Sequence, residues 1–400
     1  MTTAMDAYIE NPYAVFAAAR TQHPVVWQEL LGIPIWLVTG YREVDAILKD
    51  SRFVREYRRL VPPEHQPVFS ERIAPAMKLM NDMMLFKDAP DHTRLRNLVN
   101  KAFTPRMVEK LRPAIGAIAD QLLDDMRGRR KHELIRDFAY LLPVFVIAEL
   151  LGVPREDRGF FRRWSDAFVR FIDFNPTMEE LESLSGDIAE SKRYFEELIA
   201  VRRTAPQDDL ISKLIASEES GDQLSTDEMV ATCLLLMIAG HETTANLITN
   251  GYKLLLDHPE MYELLRADRS LAPAAVEEIL RYEPPVLMTS RLASGTIEFA
   301  GATFQKAQGI MLALAGANRD PSVVSRPDEF DIARKDCKHL SFAAGPHYCL
   351  GAPLARLEGC IALDKLVARA RQPELAAEPQ WRKNIIFRGY EALHFKAEIL

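Results

Sequence analysis

The chain has 400 residues, 48% of them hydrophobic, which provides a sizeable core and excludes a disordered or fibrous protein. Its 57 acidic and 50 basic side chains give a formal charge of −7, which argues against nucleic acid as the main partner. The four cysteines, Cys233, Cys337, Cys349 and Cys360, form neither a zinc-type spacing nor a secreted disulfide framework, so a reducing cytoplasm is the expected setting.

The N-terminal residues Met1-Thr-Thr-Ala-Met-Asp-Ala-Tyr8 have no basic region followed by an apolar one, so neither a signal peptide nor a membrane anchor is expected. Strand-like runs follow at Val25-Val26-Trp27 and Ile35-Trp36-Leu37-Val38. Residues 107–126 place Val108, Leu111, Ile115, Ile118, Leu122 and Leu123 at helical spacing and predict one amphipathic helix. The apolar stretch 141–151 contains Pro143 and Glu149 and is too short to span a bilayer. Residues 194–201 continue the helical pattern. Leu224-Ser225-Thr226-Asp227-Glu228 supplies capping residues for a long buried helix over 229–248. Strand-like runs return at Thr296-Ile-Glu-Phe299, residues 309–314 and Leu393-His-Phe-Lys-Ala397. With no repeat or linker in sight, residues 1–400 read as a single domain, mainly α (α+β), with small sheets at its margins.

Three segments carry chemistry. In Ser341-Phe-Ala-Ala-Gly-Pro-His-Tyr-Cys-Leu-Gly-Ala-Pro353, Cys349 stands just ahead of a helix opened by Pro353, where the positive end of the dipole favours a thiolate. Gly345 and Gly351 allow a tight turn and close approach to a flat ligand. In Ala239-Gly240-His241-Glu242-Thr243-Thr244, a glycine and two threonines interrupt a long apolar helix, each a poor helix former. The Thr243 hydroxyl is within reach of the carbonyls of residues 239 and 240 and is expected to loosen the helix and leave a notch. Glu278 and Arg281 share a helix face at i, i+3, a spacing that by itself usually marks a solvated pair.

Together these segments resemble the cytochrome P-450 family. Phe342, Gly345, His347, Cys349 and Gly351 match its haem loop, with Ala343 in place of the first glycine. Glu242 and Thr243 match its acid–alcohol pair, and Glu278 and Arg281 its structural pair, with Arg334 as a third member. The resemblance runs from Asn11-Pro12-Tyr13 through Trp36-Leu-Val-Thr39 to Phe387-Arg-Gly389.

The resemblance implies a triangular, mostly helical prism holding haem b (iron protoporphyrin IX), with Cys349 as axial ligand and Ala239 on the opposite face. It assigns His92, Arg96, Arg291 and His339 to the haem propionates, which require cations or hydrogen-bond donors. Glu242 and Thr243 become the proton-delivering pair of a monooxygenase that inserts one oxygen atom of O2 into a C–H bond. No Gly-x-Gly-x-x-Gly segment is present, so electrons are expected from a separate ferredoxin or flavodoxin with its NAD(P)H-dependent reductase. Arg94, Lys101, Arg106, Lys335 and Lys338 are candidate docking cations. Leu236, Met237, Val286, Leu287, Met288, Ile386 and Phe387 are candidate pocket residues, compatible with a fatty acid, terpenoid, steroid or polyketide of secondary metabolism. A cytoplasmic monomer without membrane or nucleic-acid contact is expected. A peroxygenase using H2O2 and a non-catalytic haem-thiolate sensor are the alternatives.

Overall fold

The computed structural model describes residues 4–30, 32–171, 176–217 and 221–400. Helices dominate and the strands form small sheets, the mainly α class read from the sequence. The chain packs as two compact units, one of Met1–Leu60, Gly116–Leu142 and Thr243–Leu400 and another of Val61–Ile115 and Pro143–Glu242. No described helix is long and apolar enough to cross a membrane.

The first unit holds every described strand: β1 (Val25–Leu30), β2 (Ile33–Val38), β3 (Phe53–Val54), β4 (Lys131–Glu133), β5 (Thr289–Ala293), β6 (Ile297–Phe299), β7 (Ala302–Phe304), β8 (Gly309–Leu312), β9 (Ala370–Leu375) and β10 (His394–Ile399). They form sheets of order β1-β2-β8-β5-β3, β4-β10-β9 and β6-β7. The strand-like runs of the sequence lie in or beside β1, β2, β6, β8 and β10. The other strands escape the sequence pattern because they are short or charged; β9, Ala-Arg-Gln-Pro-Glu-Leu, is extended by pairing with β10 rather than by its own alternation.

Among its described residues the second unit is strand-free. Its Arg158–Phe171 and Met178–Thr204 helices meet through an aromatic cluster of Phe161, Trp164, Tyr194 and Phe195. The helix predicted over 107–126 is two helices, Pro105–Lys110 and Arg112–Asp125. Pro113 has no N–H for the carbonyl of Glu109, and the helix breaks at Leu111 despite its continuous apolar spacing.

The helix predicted over 229–248 extends over Thr226–Asp257 without a break, and the division between units falls inside it, between Glu242 and Thr243. The expected loosening at Gly240 is not found. A Cβ at Gly240 would stand 2.7 Å from Ile147 Cδ1, so the glycine admits the neighbouring Leu141–Leu151 helix rather than weakening its own.

The Glu278–Arg281 pair is wholly buried rather than solvated. Arg281 donates to both Glu278 oxygens at 2.7 and 2.8 Å, and Arg334 Nε reaches the same oxygens at 3.2 and 3.1 Å. The remaining donors go to main-chain carbonyls: Arg281 to Pro327 (2.7 Å) and Glu329 (2.9 Å), Arg334 to Ser325 (2.6 Å). The triad thereby fixes the coil after Val324 to the Ala272–Tyr282 helix.

Glu263 and Arg266 have the same i, i+3 spacing on an exposed helix face. Arg281→Ala should therefore destabilise the protein by about 3–5 kcal/mol, because it leaves a carboxylate buried without its main partner. Arg266→Ala should leave the urea midpoint where it was, and equal midpoints for the two variants would refute the structural role of the triad.

Candidate active site

Cys349 ends a tight coil that feeds the Ala352–Arg369 helix. The coil is closed by main-chain bonds from Ala343 N–H to Leu340 (2.8 Å), Tyr348 N–H to Gly345 (3.0 Å) and Cys349 N–H to Phe342 (2.9 Å). Gly345 has a φ of +68°, and a Cβ there would stand 2.5 Å from the Leu48 carbonyl oxygen, so a larger residue would displace the coil. Ala343 takes a φ of +57°. It makes the left-handed turn that glycine would make freely, at a cost of about 1–2 kcal/mol.

Phe342, Ala343, Ala344, Cys349 and Leu350 are only partly buried, so the coil presents an apolar surface with one thiol in it. A Cβ on Gly351 would lie 3.9 Å from Cys349 Sγ, and its absence leaves space beside the sulfur. Other cysteines are worse placed. Burial, then Asp209, pushes the Cys233 thiol up; burial, then Glu278, pushes that of Cys337 up to about 12. Cys349 instead precedes a helix N-terminus, which favours the anion.

The middle of the Thr226–Asp257 helix shows a second open surface. From position 229 to 255 every residue is buried except Leu236, Ala239, Gly240 and Thr243. Their spacing places them on one stripe of small or apolar side chains, against which a flat ligand can lie. Glu242 is buried beside that stripe, and His241 is held by Ser165, whose Oγ is 2.6 Å from its Nδ1. A partly open, apolar coil that bears one thiol is a donor and a surface that fit haem.

Of the residues expected at the propionates, Arg291 lies on β5, buried, with Nη1 donating to the Ser290 carbonyl at 2.7 Å. His92 is buried and Arg96 half-buried one turn along the Asp91–Ala102 helix of the second unit. His347, expected in the haem loop rather than at the propionates, is half-buried in the cysteine coil. His339 departs from the expectation. Its Nδ1 accepts from Ser341 N–H at 3.2 Å, so Nε2 carries the hydrogen and donates to Glu277 at 3.0 Å, leaving no ring N–H for a propionate.

Glu277 also takes two bonds from Arg356, Nε at 2.6 Å and Nη2 at 3.0 Å. Burial raises its pKa, but the bonds from His339 and Arg356 outweigh that effect and hold the carboxyl down at about 2. Sequence reasoning missed this pair, since nothing in the spacing of positions 277 and 356 announces a contact. Among the expected docking cations, Arg94 is neutralised by Asp222 and Glu228. Of the expected pocket residues, Leu287 and Met288 are core, whereas Val286 and Phe387 form a β-bridge and remain partly open, as do Leu236 and Ile386.

Because Ala343 is held in the left-handed region, Ala343→Gly should raise the unfolding free energy by about 0.5–1 kcal/mol, the relieved strain less the added freedom of the unfolded chain. A lower urea midpoint would show that the turn carries no such strain.

Residues 159–371 match the family model for cytochrome P450. The chain is 43% identical over 392 residues to the biotin biosynthesis cytochrome P450 of Bacillus subtilis, spanning 98% of this chain and 97% of the relative. It is 41% identical over 391 residues to the polyketide biosynthesis cytochrome P450 PksS of the same organism, spanning 96% and 95%. It superposes with a TM-score of 0.92, at 42% identity and over 99% of this chain and 100% of the other, on P450BioI in complex with hexadec-9Z-enoic acid ligated acyl carrier protein. The chain thus belongs to the cytochrome P450 family and is a haem-thiolate monooxygenase that acts on a small molecule with electrons from a redox partner.

Proposed function

We propose that Cys349 is the axial ligand of haem b within a single catalytic domain over residues 1–400, and that the protein hydroxylates an apolar chain such as a fatty-acyl or polyketide group. The observation that carries the ligand assignment is the partly open, apolar coil that places one thiol at a helix N-terminus. The relatives that act in biotin and polyketide biosynthesis, and the one bound to a fatty-acyl carrier protein, support the substrate class.

What the haem supplies when bound is dioxygen activation, with one oxygen atom inserted into a C–H bond and the other released as water. The chain's residues do the rest. Phe342, Gly345 and Gly351 shape the coil so that the sulfur is accessible, and the helix dipole keeps it anionic. His92, Arg96 and Arg291 would hold the propionate edge, His347 would line the haem from the cysteine coil, and the small side chain of Ala239 would leave room for the cofactor. Glu242 takes up protons and Thr243, at the edge of the open stripe, hands them on at its hydroxyl. Leu236, Val286, Ile386 and Phe387 exclude water around the substrate. A ferredoxin or flavodoxin with its NAD(P)H-dependent reductase supplies the electrons to this cytoplasmic monomer. Titration of free and carrier-linked fatty-acyl chains, read as a Soret shift, tests the substrate class; no shift with either would reject it.

The reduced carbon monoxide complex should absorb where thiolate ligation places it. Cys349→Ser should abolish that band, and Cys233→Ser, Cys337→Ser and Cys360→Ser should keep it; survival of the band in the Cys349 variant would rule out this ligand. Loss of the Arg291 or Arg96 cation leaves a propionate oxygen without its donor, a penalty of about 1–3 kcal/mol. Haem occupancy should fall in each Ala variant, and full occupancy in both and in the double variant would remove these residues from the site.

Thr243→Ala should still bind haem and substrate, since the side chain is small and the helix unbroken. Reductant consumption should continue while product per electron falls and hydrogen peroxide accumulates. Glu242→Gln should slow turnover by about 10²–10⁴-fold if it relays protons. Full coupling of reductant to product in the Thr243 variant would overturn the acid–alcohol assignment.

A further inference from the structure

We propose that Glu277 is a positioning residue that clamps both ends of the cysteine coil and sets the electrostatic balance behind the thiolate, an inference that rests on Cys349 being the ligand. Glu277 and Glu278 are neighbours on the Ala272–Tyr282 helix and serve different tasks. Glu278 points into the protein interior, where it meets Arg281 and Arg334. Glu277, about 100° further round the helix, meets the coil.

One carboxylate group holds residues from either side of Cys349. Glu277 Oε2 accepts from His339 Nε2, ten positions before the cysteine, and from Arg356 Nη2, seven positions after it, both at 3.0 Å; Oε1 accepts from Arg356 Nε at 2.6 Å. Arg356 passes the constraint on. Its Nη1 donates to the Tyr348 hydroxyl at 3.1 Å, and its guanidinium carbon stands 4.4 Å from the centre of the Phe342 ring. Tyr348 directly precedes Cys349, and the Phe342 carbonyl accepts the Cys349 N–H at 2.9 Å. The contacts form a closed circuit: Glu277, Arg356, Phe342 and Tyr348, Cys349, with His339 tied back to Glu277.

The clamp has an electrostatic consequence. A thiolate is destabilised by a nearby uncompensated anion and stabilised by a cation. Glu277 and Arg356 form a bidentate pair of opposite charges, so neither is left uncompensated. Removing one unmasks the other.

The test reads the spectrum and the potential of the haem-loaded protein rather than its activity. Glu277→Gln keeps the size of the side chain but loses the charge, and Arg356→Gln removes the opposite charge. Both open the circuit, so in both the thiolate-type band of the reduced carbon monoxide complex should decay at least about tenfold faster, the equivalent of one charge-assisted hydrogen bond. The reduction potential should move in opposite directions, upward where the anion is removed and downward where the cation is removed. A role in folding alone would accelerate decay in both variants and leave the two potentials together, and that result overturns the proposal. Should Arg356→Gln fail to fold, Glu277→Asp serves as second variant: it keeps the charge, so its potential should match the wild type while decay still accelerates. Wild-type protein lacking the thiolate band would overturn Cys349 ligation and the clamp with it. A wild-type band with unchanged decay and potential in Glu277→Gln overturns the clamp alone.

Discussion

A carboxylate with no solvent exposure must be matched by cations and donors inside the protein, and Glu278 is such a group. The two guanidinium groups around it use their remaining donors on the carbonyls of Ser325, Pro327 and Glu329. A segment without regular secondary structure is thereby held as firmly as a strand. That segment runs directly into the cysteine coil, so the position of Cys349 depends on a charge cluster that touches no substrate. Removing one member would leave charge buried, which is why the arrangement tolerates little change.

The coil adds a constraint of its own. Its turns require left-handed backbone at residues 343 and 345, and only one of these is glycine. The alanine is kept in place by main-chain bonds on either side and by the Phe342 ring, which packs under Arg356. Rigidity here has a chemical purpose. The helix N-terminus that follows Cys349 favours the anionic form of a thiol held there.

The Thr226–Asp257 helix makes a complementary compromise. Burial on nearly all sides would suit a core helix, yet four residues in its middle are left open, and all four are small or apolar apart from the Thr243 hydroxyl. The acid next to them, Glu242, is buried. Gly240 serves packing by admitting Ile147.

Local structure was legible in the sequence wherever it resides in adjacent residues: the cysteine ahead of a helix, the caps before residue 226 and the strands with clear alternation. These are set by chain neighbours, so spacing alone reveals them. Burial and long-range pairing were not legible. The Glu278–Arg281 spacing is identical to that of Glu263–Arg266, and only the tertiary structure places one pair in the core and the other in water. The commitment of His339 to Glu277, the reason for Gly240 and the Arg356 contact each depend on residues 62, 93 and 79 positions away. Such contacts are fixed when helices pack, because the free energy of a charge or a methyl group depends on what surrounds it, and a sequence states only what precedes and follows it.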